Sequence, residues 1–161
     1  GGARRAVAGK GAGHGAGIEV NADCRQAVLC AVDAGETLLQ ATEKLCEFVS
    51  TTAAFTTTSV KVRAGVPGVN LPALAENLER AGADWLHIDA MDSEQVVREV
   101  RGACDLFIIA NNGVRDRRTA VEYLKHGADA VSIGRPSDDP QVLSQVRRAV
   151  EHWFTKREVR T

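Results

Sequence analysis

The sequence predicts an α/β fold of the (β/α)8 TIM-barrel type, incomplete, with about five C-terminal β/α units standing for strands 4–8. Three observations lead there. From residue 18 onward short apolar strands alternate with amphipathic helices, which implies a parallel sheet with right-handed crossovers. Four of the five strands split into one aliphatic and one polar face, whereas a sheet covered by helices on both sides needs two apolar faces. Glycine-containing loops follow the last two strands, where barrels commonly bind phosphate after strands seven and eight.

The elements follow in order. Strands are expected at IEVNA (18–22), SVKVRA (59–64), WLHIDA (85–90), LFIIAN (106–111) and AVSIG (130–134). Helices are expected at 36–50, 71–82, 93–102 and 115–127, with a last one from Pro140 to about Phe154. Leu71, Leu74 and Leu78 repeat at helical spacing, as do Leu143, Val146, Val150 and Trp153. Ser93 and Asp139 stand where N-caps belong, and Gly82 and Gly127 where C-caps belong. A short internal repeat, GADWLHI (82–88) and GADAVSI (127–133), marks two turns from helix into strand.

The chain has 161 residues, 20 basic and 21 acidic side chains, and a net charge of -1. That balance excludes a protein held to phosphate by bulk positive charge. Met91 is the sole methionine and residue 1 is Gly, so the chain reads as a fragment, shorter than the roughly 250 residues of a typical barrel. Strands one to three would then be missing, leaving an open barrel edge through which self-association is expected. Residues 1–17 read as a flexible leader or the remnant of a missing helix, 18–157 as the partial barrel, and 158–161 as a tail. Cys24, Cys30, Cys46 and Cys104 form no C-x-x-C pair, so reduced thiols in a cytoplasmic protein are expected. No apolar run approaches the roughly 18 residues of a membrane span, and no metal-binding pattern stands out.

The polar faces carry the chemistry. Glu19 and Asn21 oppose Ile18 and Val20; Lys61 and Arg63 oppose Val60 and Val62; His87 and Asp89 oppose Leu86 and Ile88; Ser132 opposes Val131 and Ile133. In a barrel these groups point inward, near the strand ends where barrel active sites sit. Interior charges need partners, and the alternative to a site is a self-satisfied polar interior, with Lys61 paired to Glu19 and Arg63 to Asp89. Asn111-Asn112-Gly113 and Gly134-Arg135-Pro136-Ser137 supply the loops in which backbone N–H groups can approach an anion.

Read in order, Asn21-Ala22-Asp23-Cys24, Ala34-Gly35-Glu36-Thr37-Leu38-Leu39, Val60-Lys61-Val62-Arg63, His87, Asn112-Gly113 and Gly134-Arg135 resemble a tRNA-dihydrouridine synthase, in its archaeal form, over residues 18–137. The resemblance implies FMN as cofactor, NADPH or NADH as reductant, and hydride transfer to C6 of a uracil ring. It places Cys24 as the acid that protonates C5, a role suited to a thiol with an ordinary pKa of about 8.5. Asn21, Lys61, His87, Asn112, Gly113, Gly134 and Arg135 would bind the cofactor, with Lys61 at the N1/O2 edge of the flavin, and Arg63 would bind substrate. Arg25 stands where the family usually has proline, and His87-Ile88-Asp89 replaces its H-x-R. The implied partner is tRNA. A flavin barrel acting on a free pyrimidine, of the dihydropyrimidine or dihydroorotate dehydrogenase kind, and a non-catalytic phosphate-binding remnant are the alternatives.

Overall fold

The computed structural model describes residues 17–158, so the expected leader, apart from Gly17, and the last three tail residues lie outside the described residues. Five strands form the sheet: β1 (Ile18–Asn21), β2 (Thr58–Arg63), β3 (Trp85–Asp89), β4 (Phe107–Asn111) and β5 (Ala130–Val131). They lie side by side in chain order and every neighbouring pair is parallel. A doubly wound sheet reverses its strand order at a switch point. Here the order never reverses, which is the progression of a barrel wall. β5 does not pair with β1, so the described sheet is an open arc.

Six α-helices accompany it among the described residues: α1 (Ala27–Cys30), α2 (Thr42–Ala53), α3 (Leu71–Arg80), α4 (Glu94–Ala103), α5 (Arg117–Lys125) and α6 (Pro140–Glu158). The core lies between them and one face of the sheet. Val60, Val62, Leu86, Ile88, Ile108 and Ala110 are fully buried, and Leu45, Val49, Leu78, Val97, Val100 and Ala120 meet them from the helices. Each large aliphatic side chain removed from water in this way contributes about 1.5–3 kcal/mol. The opposite face holds the polar residues in rows set by the strand register. Asn21, Lys61, His87 and Ile109 are successive partners across the sheet, and Arg63, Asp89 and Asn111 form the next row toward the carboxyl ends.

Several expected elements have different bounds. The helix expected over 36–50 is a 3-10 turn, Gly35–Leu39, followed by α2. Ala41 (φ -108, ψ 60) breaks the helical path; Leu38 and Leu39 are buried before it, and Leu45 and Val49 after it. α1 is an additional single turn. β5 stops at Val131, although Ser132 still donates its N–H to the Ala110 carbonyl at 2.8 Å. Ser93 occupies the N-cap of α4 without a side-chain bond, while Asn70 and Asp116 cap α3 and α5 through theirs.

The G-A-D repeat has a mechanical meaning. Gly82 (φ +98) and Gly127 (φ +108) end their helices in the left-handed region. Two residues later the aspartate turns back to the preceding strand. Asp84 Oδ2 accepts the Thr58 N–H of β2, and Asp129 Oδ2 accepts the Ile108 N–H of β4, both at 3.0 Å. Arg101 fastens the second of these turns, pairing with Asp129 and donating to the carbonyls of Gly127, Cys104 and Leu106.

Candidate active site at the carboxyl ends of the strands

The chain leaving β1 carries Asp23 and Cys24. Asn21 Oδ1 accepts the Asp23 N–H at 2.9 Å and so folds this exit into a tight turn. The Cys24 carbonyl accepts the Glu36 N–H at 2.9 Å and a weaker contact from the Cys30 thiol at 3.8 Å. Gly35 lies directly against it: a Cβ there would stand 2.3 Å from the Cys24 oxygen. The residues after the predicted cysteine thus clamp its backbone, and the half-buried thiol itself makes no hydrogen bond among the described residues. At Cys46 and Cys104 burial pushes the thiol up from its ordinary value. Cys104 also donates to the Val100 carbonyl, as a packed helix residue does.

Beside this turn, Lys61 Nζ is 3.1 Å from Asp23 Oδ2. Arg63 is ringed by acids: its Nη1 lies 3.1 Å from Asp89 Oδ2 and 3.4 Å from Asp23 Oδ1, and its Nε lies 3.8 Å from Glu36 Oε2. Of the two pairs of a self-satisfied interior, Arg63–Asp89 is therefore present, whereas Lys61 pairs with Asp23 and not with Glu19. Register explains the difference. Glu19 stands opposite Ser59, one row below Lys61, and is taken by the Ser59 hydroxyl (2.9 Å) and His87 Nδ1 (3.2 Å). His87 Nε2 is buried with no partner, as is Trp85 Nε1 two residues earlier on the same strand face.

Asp89 ties the mouth together. It is 6% exposed, and besides Arg63 it accepts the Asn112 side-chain amide (2.8 Å) and the Met91 N–H (3.2 Å). Asn112 (φ +64) and Gly113 (φ +113) form the loop after β4, and Tyr123 Oη donates to the Asn112 carbonyl at 2.6 Å. A Cβ on Gly113 would stand 2.6 Å from that hydroxyl, so the phenol requires glycine there. Gly134 and Arg135 are exposed after β5, with nothing within 4 Å of where a Gly134 Cβ would lie. Among the described residues the backbone N–H groups of Asn112, Gly113, Gly134 and Arg135 donate to no acceptor. Asp23, Glu36 and Tyr123 are the participants that motif reading did not select. Glu36 sits inside the quoted Gly35 motif, but nothing in the sequence marks Tyr123.

Burial, followed by the charges of Glu94, Asp92 and Asp89, pushes the Tyr123 phenol up to about 12. The folded chain therefore keeps its proton where an unfolded phenol, ordinarily at 10.0, has lost it. This contribution to stability is complete below about pH 10 and is lost as pH rises toward about 12. Tyr123 is the sole tyrosine in the chain, so alkaline titration of phenolate absorbance reads it directly. A folded-state midpoint near 10 would contradict the burial.

The dihydrouridine synthase family model matches residues 4–160. The chain belongs to the dihydrouridine synthase family. It is also similar to curated isomerases. One, a phosphoribosyl-substituted imidazole-4-carboxamide isomerase from Methanothrix thermoacetophila, is 29% identical over 102 residues, covering 54% of this chain and 42% of that protein. Phosphoribosyl isomerase A from Streptomyces avermitilis is 32% identical over 76 residues, covering 42% and 31%. Among solved structures, a FabK mutant from Thermotoga maritima superposes with a TM-score of 0.50 at 19% identity, over 74% of this chain and 43% of that one. At that identity the likeness bears on fold alone: an α/β fold of TIM-barrel type whose described sheet is not closed. This dihydrouridine synthase family member matches only 31–42% of the length of these curated relatives. No helix among its described residues is long and apolar enough to cross a membrane.

Proposed function

We propose that the chain is the FMN- and substrate-binding part of a tRNA-dihydrouridine synthase, with residues 18–157 forming the last five β/α units of its barrel. The family match over residues 4–160 carries this reading. The residues present fit the cofactor. A buried His87 nitrogen without a partner, a lysine in the same row, and unspent backbone N–H groups on two adjacent loops are the donors that a planar, phosphorylated heterocycle needs. The curated relatives are named for phosphoribosyl compounds, which supports phosphate handling on this kind of scaffold.

When bound and reduced by NADPH or NADH, FMN supplies the hydride for C6 of a uracil ring. The other tasks fall to this chain. Asn21, Lys61 and His87 bind the ring system, and the backbone of Asn112, Gly113, Gly134 and Arg135 binds the phosphate. Glu19 holds the Nδ1 side of His87, and the buried Nε2 is left without a protein partner among the described residues. Lys61 would stabilise the negative charge that the ring system carries when reduced. Arg63, fixed by Asp89, presents its guanidinium to the substrate. Cys24 holds the proton for C5, and the clamp on its carbonyl fixes where the thiol can point.

The test has two stages. Purified chain is titrated with FMN and followed by flavin absorbance and fluorescence, then incubated with FMN, NADPH and unmodified tRNA, and dihydrouridine is measured. Saturable FMN uptake with dihydrouridine formation is expected. If the chain takes up no FMN, the reading fails.

A further inference from the structure

The two cations on β2 are held unequally. Arg63 lies among three acids, Asp89, Asp23 and Glu36, at 3.1, 3.4 and 3.8 Å. Lys61 has Asp23 alone among the described residues, at 3.1 Å. Asp23 is also sheltered, with its side chain 13% exposed against 23% for Lys61, so water screens the pair less than it would on an open surface. Its backbone is fixed independently by the Asn21 side chain, so the carboxylate is presented to Lys61 by the turn itself.

An anionic ligand approaching Lys61 competes with this carboxylate. We infer that Asp23 is a positioning residue that acts through Lys61, a built-in counter-ion that limits how strongly the lysine favours the reduced over the oxidised flavin. The inference rests on the proposed placement of FMN against Lys61. Reduced FMN is the more negative form, so a lysine with its charge fully available prefers it, and a paired carboxylate offsets part of that preference. Removing the Asp23 charge leaves Arg63 two of its three acids, Asp89 and Glu36, whereas Lys61 loses the one carboxylate it has among the described residues.

The experiment compares the parent chain with Asp23→Asn, which keeps shape and loses charge, and Asp23→Glu, which keeps charge. FMN affinity is read by fluorescence quenching and the midpoint potential of bound FMN by dye-coupled reductive titration. Asp23→Asn is expected to favour reduced over oxidised FMN by about tenfold relative to the parent. That ratio corresponds to a rise of about 30 mV for a two-electron couple. Asp23→Glu is expected to stay near the parent value. A purely structural role would lower the melting temperature without moving the potential. Should Asp23→Asn fold poorly, Asp23→Ser is read in the same way. FMN binding with a parental potential in the neutral variants overturns the inference and leaves the functional reading standing. A parent chain that binds no FMN overturns both.

Discussion

Cys24→Ala is expected to cut dihydrouridine formation by about a hundred- to ten-thousand-fold, the range that a positioned general acid supplies. FMN binding is expected to hold. The reasons lie in how Cys24 is fastened: its polar contacts run through the carbonyl, and the thiol makes no hydrogen bond among the described residues. Alanine keeps that backbone and removes only the proton donor. Turnover of the loaded variant on tRNA, set beside its FMN titration, separates the two effects. Turnover unchanged by the substitution would remove Cys24 from the chemistry.

Gly35→Ala is expected to destabilise the chain by about 2–4 kcal/mol and to impair turnover together with it. Two costs add. The residue sits at φ +62, where a Cβ is unfavourable, and that Cβ would lie 2.3 Å from the Cys24 carbonyl oxygen. The oxygen has to move, and in moving it gives up the Glu36 N–H. For a chain of this length such a loss lowers the melting temperature by roughly 4–16 °C. A thermal melt within about 2 °C of the parent, inside what 1 kcal/mol would produce, means that the clamp is softer than described.

Much of this architecture is legible in the residues, and the failures have physical causes. The alternation Val60, Lys61, Val62, Arg63 and again Leu86, His87, Ile88, Asp89 fixes both faces of β2 and β3, because a strand has no other way to place neighbouring side chains. Pairing across strands is another matter. Lys61 and Glu19 look complementary in sequence, yet the register sets Asn21 opposite Lys61, and the lysine reaches toward the carboxyl end to Asp23. β5 has the pattern of a five-residue strand, yet it pairs with β4 only over Ala130–Val131, with one further bond from the Ser132 N–H to the Ala110 carbonyl. Tyr123 stays invisible to motif reading because it acts from a helix on a loop eleven residues earlier in the chain. The motif residues Asn112 and Gly113 were recognisable; the hydroxyl that shapes their loop was not.

The aspartates of the G-A-D repeat have a consequence for the order in which the chain takes shape. Asp84 fastens β2 and Asp129 fastens β4, so each of these strands is secured by a residue of the unit that follows it. A ribosome delivers the bonded strand residue first and its latch 26 or 21 residues later, at about 5–20 residues per second. For a second or more after each strand is made, the N–H at its start has no aspartate to receive it.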